Sequence, residues 1–276
     1  MKFTNPNPNA GFVITADAEW PSILFQTDGS GAHVWNWDVV WGTFKQSGAV
    51  NISSNQWDAR SVVANSGGTL TVRANANNQV AITVVRIKGT NPTAGQVTQF
   101  LAAQPGSAGF DKIISHESQF RHFTLSGEPI KSFDNGYGMC QLTNPTPTVD
   151  KVWNWKLNVQ GGLSLFAGKR AQAISYLSQN GRGYTDEQLK YEAVCRWNGG
   201  YYHDWDEASK KWVRRTDVLC DSTTGNIGWD MSDSTNQGKT EATLHKRDSS
   251  GYVKKKPGPM DHWGYFGACY ADKVLA

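Results

Sequence analysis

Apolar and polar positions alternate with a period of two in the first third of the chain. Between residues 10 and 90, short runs of β-branched and aromatic residues are separated by turns of Gly, Asn and Ser, and the clearest runs are 34–41, 68–74 and 80–87. Strands at this spacing predict a small antiparallel sandwich. Gly and Pro at residues 88–95 indicate a linker that ends this first part.

From about residue 96 the apolar positions recur with the spacing of a helix. Helices are predicted over 96–103 and 110–123. A third helix has its apolar face on Leu163, Phe166, Ala167, Ile174 and Leu177. Thr185 and Gln188 form the pattern of a capping box, which predicts a fourth helix that ends before Asn198.

The segment from 205 to 259 has many Gly, Ser, Thr and charged residues and only two strand-like pieces, 211–215 and 225–231. Because a long excursion inside a compact domain is usually functional or flexible, we expect a β-rich insertion there. The fold class predicted for the whole chain is α+β. A β-sandwich domain over 1–91 resembles bacterial immunoglobulin-like modules, and a mostly α-helical domain over 92–276 carries the insertion.

A carboxylate lies on the apolar face of the helix predicted over 110–123. That face is formed by Phe110, Ile113, Ile114 and Phe120. Glu117 falls on the same stripe, where an ionised and unpaired carboxylate is strongly disfavoured. Either a partner such as Arg121 neutralises the charge, or the carboxyl stays protonated near neutral pH, which is what a general acid requires. His116 and His122 flank this acid, and each is expected to lie at the surface or behind the residues that contact substrate rather than to act as a base.

Four short motifs follow one another along the predicted helical domain. They are Glu117-Ser118, Gly136-Tyr-Gly-Met-Cys-Gln141, Asn158-Val-Gln-Gly-Gly162 and Trp197-Asn-Gly-Gly200. In this order and spacing they resemble the lysozyme-like superfamily, closest to goose-type lysozymes and soluble lytic transglycosylases. The resemblance covers residues 96–205 and resumes at 270–275, a segment similar to the closing helix of that family.

The resemblance implies a lysozyme-like fold for the helical domain and a muramidase activity, the hydrolysis of the β-1,4 bond between MurNAc and GlcNAc in peptidoglycan. In that family pattern Glu117 is the general acid. Asp134 opens the turn that the family places opposite the acid, and it is the residue expected to position the attacking water. Substrate contacts are implied for Ser118, Tyr137, Gln141, Asn158, Trp197 and Asn198. The resemblance implies no metal and no cofactor.

Two other functions stay open at this point. A lytic transglycosylase has no second carboxylate and gives 1,6-anhydroMurNAc products, and Asp134 would then be an Asx-turn residue that caps its own loop. A non-catalytic cell-wall-binding protein is the other alternative. It is suggested by Trp197, which stands where the family usually has Tyr, because an indole N–H donates a hydrogen bond but accepts none.

Composition excludes some classes of partner. The net charge of +3 is too small for the basic stripe expected of a nucleic-acid-binding protein, and no apolar run approaches the length of a membrane span. We therefore expect peptidoglycan strands as the partner, with no nucleic acid and no membrane, and a monomeric protein.

The route to the cell wall is the next expectation. The first nine residues lack the apolar core of a Sec signal peptide. The chain is thus expected to be either a fragment or a protein delivered to the periplasm or cell wall of target bacteria by another route. In lacking such a signal, the chain resembles the C-terminal peptidoglycan-cleaving modules of bacterial type VI secretion effectors. That resemblance implies an immunity protein or the secretion apparatus as further partners.

The four cysteines Cys140, Cys195, Cys220 and Cys269 include no CxxC pair, which argues against a zinc site. Two states of these cysteines are possible. They form disulfides in one of three connectivities, or they are four buried thiols.

Overall fold

The computed structural model describes residues 1–133, 135–253 and 257–276. The chain divides into two compact units. Unit 1 contains Met1–Ala103 and Glu117–Gly162, and unit 2 contains Gln104–His116 and Leu163–Ala276. These ranges differ from the predicted 1–91 and 92–276, since a segment from the middle of the chain belongs with the N-terminal strands.

The strands lie mainly at the two ends of the chain. They are β1 (Phe3–Asn5), β2 (Gly11–Ile14), β3 (Leu24–Thr27), β4 (His33–Trp41), β5 (Phe44–Ile52), β6 (Gln56–Asp58), β7 (Gly68–Ala76), β8 (Gln79–Gly89), β9 (His203–Asp206), β10 (Lys211–Arg214), β11 (Val218–Cys220), β12 (Ile227–Asp230) and β13 (Gly264–Tyr265). The predicted runs 34–41, 68–74 and 80–87 are confirmed as the central parts of β4, β7 and β8.

The helices are α1 (Arg60–Val63), α2 (Ala94–Ala102), α3 (Phe110–Ser118), α4 (Val149–Trp153), α5 (Trp155–Leu177), α6 (Asp186–Asn198), α7 (Glu241–Asp248) and α8 (Gly267–Leu275). The capping box of Thr185 and Gln188 is confirmed at the start of α6. A second one, formed by Thr93 and Gln96, opens α2. Helix α3 is shorter than predicted and ends at Ser118 rather than at residue 123.

Unit 1 is built on a five-stranded sheet in the order β2-β8-β7-β4-β5 and a three-stranded sheet in the order β1-β3-β6. Strand β2 pairs in parallel with β8, and the other pairs are antiparallel. Along β4 the alternation places Trp35 and Val39 in the core and leaves Val34 and Val40 exposed. The period-two pattern of the sequence is therefore a pattern of burial.

Residues far along the chain complete the core of unit 1. Phe123, Tyr137, Val152 and Trp153 are buried in the same cluster as the strand residues. Glycines allow this approach, since a Cβ at Gly67 would lie 2.3 Å from Cε3 of Trp153. The predicted immunoglobulin-like sandwich is corrected here: its core includes Phe123, Tyr137, Val152 and Trp153, and β2 lies parallel to β8.

Unit 2 combines helices with two small sheets. Strands β9 and β10 form a hairpin, and β11, β12 and β13 form a three-stranded antiparallel sheet. A separate core of Ile227, Trp229, Leu244 and Trp263 lies within the segment predicted to be an insertion and just after it. The predicted mostly α-helical lysozyme-like domain is wrong, because residues 117–162 belong to unit 1 and unit 2 is a mixture of helices and sheets.

Within the described ranges 1–133, 135–253 and 257–276, none of the helices has the length and apolar character that crossing a bilayer requires.

Candidate functional site

Glu117 lies in the last turn of α3, and its side chain is exposed. The expectation that it occupies a buried stripe is wrong. Phe110, Ile113 and Ile114 are buried as predicted, but the helix ends at Ser118, so the stripe does not continue to Phe120. Glu117 is therefore a solvent-accessible carboxylate at the end of an otherwise anchored helix.

The backbone directly after Glu117 has an unusual conformation. Gln119 and Phe120 both have positive φ, 54° and 60°. The left-handed region is uncommon for residues other than glycine, and a bulky residue there is an outlier. The turn is closed by Arg121, whose backbone N–H donates to the carbonyl of Ser118 at 3.0 Å and whose Nε donates to the same oxygen at 3.4 Å.

This turn leads into a small antiparallel meander in unit 1. Isolated bridges join Phe123 to Pro129, Lys131 to Tyr137, and Tyr137 to Leu142. The meander contains the Gly136–Gln141 motif. Gln141 closes the turn by donating from Nε2 to the carbonyl of Gly138 at 2.7 Å. The motif that resembles a cleft wall is thus a defined turn, not a strand of a larger sheet.

Two buried side chains hold this turn in place. Asn158 accepts a hydrogen bond at Oδ1 from the backbone N–H of Cys140 at 3.0 Å, and its Nδ2 donates to the carbonyls of Tyr137 and Lys151 at 3.0 and 3.1 Å. His122 donates from Nε2 to the carbonyl of Val152 at 2.9 Å. All of these partners are backbone groups, so the two side chains fix the path of the chain.

Gly138 lies between these two side chains. Its φ is +69°, and a Cβ there would lie 2.4 Å from Cε1 of His122 and 2.6 Å from Nδ2 of Asn158. The second glycine of the motif is therefore required by close approach as well as by backbone conformation.

His122 is neutral in this position. It is fully buried, and burial lowers the pKa of its imidazole to about 4, while the hydrogen bond to Val152 acts in the opposite direction. Its Nδ1 accepts a hydrogen bond from the backbone N–H of Met139 at 3.3 Å, which requires the unprotonated ring. Of the two histidines that flank Glu117, His122 is therefore buried and His116 is exposed.

The residues expected to contact substrate fall into two groups. In unit 1, Asn158, Tyr137 and Ser118 are buried, and Gln141 is half-buried. Tyr137 packs edge-on against Phe44, with ring centroids 5.2 Å apart. Asn158 and Tyr137 therefore serve the structure of the turn, and Gln141 is the member of this group with an accessible side chain.

The other group lies in unit 2. Trp197 is half-buried and packs against Phe110 and Phe166, with ring centroids 5.4 and 6.3 Å apart. Asn198 is the last residue of α6 and is exposed. Asp134, which was expected to position water, lies outside the described residues.

Unit 2 contains a buried ionic cluster that the sequence did not reveal. Glu192 in α6 is fully buried, and its Oε2 accepts hydrogen bonds from the backbone N–H groups of Tyr202 and His203 at 3.0 and 3.2 Å. Its Oε1 lies 2.8 Å from Nη2 of Arg196. The available signal was its position on the buried face of the predicted helix, between Leu189 and Cys195.

The cysteines are also settled by the structure. Cys220 and Cys269 form a disulfide, and Cys140 and Cys195 are buried free thiols. Burial raises the pKa of the Cys195 thiol to about 12 and raises the pKa of the Cys140 thiol further. A thiol with a raised pKa is a poor nucleophile at neutral pH. Among the described residues no group of three or more His, Cys, Asp and Glu is arranged to hold a metal ion.

Comparison of the sequence with protein-family models and with curated proteins finds no match.

Proposed function

We propose that the protein is a muramidase that hydrolyses the β-1,4 bond between MurNAc and GlcNAc in peptidoglycan, with Glu117 as the general acid. The observation that carries the proposal is the position of this carboxylate. Glu117 is exposed at the end of α3, directly before two consecutive left-handed residues, Gln119 and Phe120.

Backbone strain of this kind is informative about function. A residue other than glycine in the left-handed region is disfavoured by about 1–3 kcal/mol, and such residues cluster at active sites, where the surrounding structure enforces them. Here the two residues are enclosed by the hydrogen bonds from the backbone N–H and Nε of Arg121 to the carbonyl of Ser118. A chain that needed only to end a helix would place Gly at this position.

The chemistry assigned to the site is glycoside hydrolysis. Protonated Glu117 donates its proton to the glycosidic oxygen as the bond to the MurNAc anomeric carbon breaks, so the leaving GlcNAc unit departs as an alcohol. A water molecule adds to the anomeric carbon, and Asp134 accepts its proton. The proposal keeps Gln141 of unit 1 as a candidate substrate contact, since its side chain has solvent access, and gives Asn158 and Tyr137 a positioning role.

The disulfide is consistent with action at the cell wall. Disulfides persist in oxidising compartments such as the bacterial periplasm and are rare in the cytosol. The bond between Cys220 and Cys269 therefore favours a protein that works outside the cytoplasm. An immunity protein or a secretion apparatus as partner is part of the same proposal.

Mass analysis of the soluble fragments released from purified peptidoglycan tests the proposed reaction. We expect fragments that end in reducing MurNAc, and we expect Asp134→Asn to lose most of this release. Fragments with anhydro ends, together with an active Asp134→Asn variant, would show that the reaction is transglycosylation rather than hydrolysis. If the folded wild-type protein pellets with the polymer but releases no product, the protein is a binding protein and not an enzyme.

A further inference from the structure

A groove of about 510 Å³ lies at one end of the five-stranded sheet in unit 1. Its chemistry is carried by two aromatic residues, two cations, one carboxylate and one hydroxyl. These are Trp41, Trp153, Arg86, Lys88, Glu128 and Thr69. A volume in this range suits a small organic ligand and is much larger than a single ion needs.

The floor of the groove is kept open by glycine. Gly68 has a φ of +103°, and a Cβ there would lie only 2.4 Å from the carbonyl oxygen of Val40 and 2.8 Å from Cβ of Trp41. A larger residue would force β7 away from the end of β4. At Gly42, whose φ is +56°, a Cβ would meet no other atom within 4 Å, so the space beside this lining residue is open.

The cations lie side by side on one strand. Arg86 and Lys88 are separated by Ile87, which is buried, so their side chains share the outer face of β8, about 7 Å apart along the strand. Both are exposed, and neither side chain has a hydrogen bond or ion pair to another residue in the described part of the chain. Two neighbouring cations without a carboxylate partner favour a ligand that carries negative charge.

The aromatic residues and Glu128 make the groove unlike a simple anion site. Trp41 is half-buried and is held by stacking on Phe44, with ring centroids 6.0 Å apart, and by an edge contact with Trp153 at 5.7 Å. A fixed indole offers apolar surface to the C–H face of a sugar ring. The exposed carboxylate of Glu128 can accept hydrogen bonds from hydroxyl or amide groups, and it would repel a bare phosphate or sulfate.

We propose that this groove binds an amino sugar that bears a carboxylate, the chemistry that the lactyl group gives to muramic acid in peptidoglycan. Arg86 and Lys88 bind the carboxylate, Trp41 packs against the ring, and Glu128 accepts a hydrogen bond from a hydroxyl or the acetamido N–H. The identity of the polymer rests on the proposed function. Glu117 is not among the residues that line the groove, and the role assigned to the groove is to hold a glycan strand rather than to cleave it.

The binding test uses the full chain with Glu117→Gln, so that binding in the groove is measured without the proposed general acid. N-acetylmuramic acid and N-acetylglucosamine, which lacks the lactyl carboxylate, are titrated in parallel and followed by NMR chemical shifts. We expect N-acetylmuramic acid to bind about tenfold more tightly and to shift the signals of Trp41 and Thr69, because each exposed ion pair contributes a few-fold in affinity.

Three variants assign the effect to the groove. Replacing both cations, Arg86→Gln with Lys88→Gln, should abolish the preference for N-acetylmuramic acid, while the exchange of Arg86→Lys with Lys88→Arg should keep most of it. Arg73→Gln removes a cation from the same sheet face outside this groove and should change nothing. Equal binding of the two sugars, or an unchanged preference in the double Gln variant, would overturn the inference.

Two further outcomes separate this inference from the proposed function. Full displacement of N-acetylmuramic acid by inorganic phosphate at equal concentration would reduce the groove to a general anion site and overturn the inference. Release of muropeptides by the wild-type protein without sugar binding in the groove would reject the groove and leave the muramidase proposal standing. Sugar binding without any release would reject the muramidase proposal and keep the groove.

Discussion

His122 illustrates how a single buried residue can hold a turn of the candidate site in place. Its ring lies between the carbonyl of Val152 and the N–H of Met139, and it packs against Gly138. Because the ring must be neutral to accept the bond at Nδ1, protonation would break the contact that holds the turn. The stability of this region is thereby linked to pH.

The free energy of unfolding should fall as the pH drops from 6.5 towards 4. In this window the unfolded chain binds a proton at His122, whose ordinary pKa is 6.5, while the folded protein does not, because its pKa is lowered to about 4. Integrated over the window, the loss is about 3 kcal/mol. Urea unfolding at pH 7, 5.5 and 4.5 measures it. His122→Gln should flatten this part of the profile, whereas the exposed His116→Gln should leave it unchanged. An unaltered profile in His122→Gln would reject the linkage.

Individual residues were predicted unevenly. The sequence predicted Glu117 as a buried candidate acid, and its burial was wrong because α3 ends before the left-handed Gln119 and Phe120. Phe has no intrinsic preference for the left-handed conformation, so the residue types at 119 and 120 do not predict the end of α3. The burial of Asn158 and Tyr137 was not predicted, because a motif residue that binds substrate and one that supports the backbone look alike in sequence.

At the scale of elements, periodic patterns and capping boxes were reliable guides. Strands β4, β7 and β8 and the start of α6 lie where alternation and the Thr185–Gln188 pair placed them. Helix α7 was missed, since its sequence is polar around most of its surface and Leu244 is its buried residue. The parallel pairing of β2 with β8 was missed as well. It pairs Gly11 with Arg86, 75 residues later, and no local pattern specifies so distant a partner.

The disulfide bond between Cys220 in β11 and Cys269 in α8 should contribute strongly to the stability of unit 2. Cys220 and Cys269 are 49 residues apart, and closing a loop of this length in the unfolded chain stabilises a fold by about 2–4 kcal/mol. The double variant Cys220→Ala with Cys269→Ala should lower the free energy of unfolding by that amount. Thiol titration of the oxidised, denatured wild-type protein should find two free thiols, from Cys140 and Cys195. Four free thiols would contradict the assignment.

At the scale of the whole molecule, sequence separation limited the prediction. The change from strand to helix periodicity at about residue 96 agrees with the end of β8 at Gly89 and the start of α2 at Ala94, but a change of period is not a domain boundary. The core of unit 1 joins the N-terminal strands to Phe123, Tyr137, Val152 and Trp153. Such long-range contacts leave no signal in one sequence beyond the apolar character of the residues that make them.

A chain that begins at residue 92 should therefore fail to fold to the native state. Removing the strands exposes Phe123, Tyr137, Val152 and Trp153, and each large apolar side chain returned to water loses about 1.5–3 kcal/mol. Near-UV circular dichroism and cooperative thermal unfolding, with the full chain as control, would detect the loss. A truncated chain that unfolds cooperatively and still clears peptidoglycan would show that the strands form an independent domain.

The assignment of Glu117 as general acid is tested most directly by the clearing of purified peptidoglycan by Glu117→Gln. The variant removes the transferable proton and keeps the size of the side chain, and general acid catalysis commonly contributes about 10²–10⁴-fold. We expect clearing to fall by at least about 10²-fold while thermal unfolding stays like that of the wild type. The control Glu187→Gln, at an exposed glutamate in the first turn of α6, should clear normally. Clearing near the wild-type rate by a folded Glu117→Gln variant would contradict the assignment.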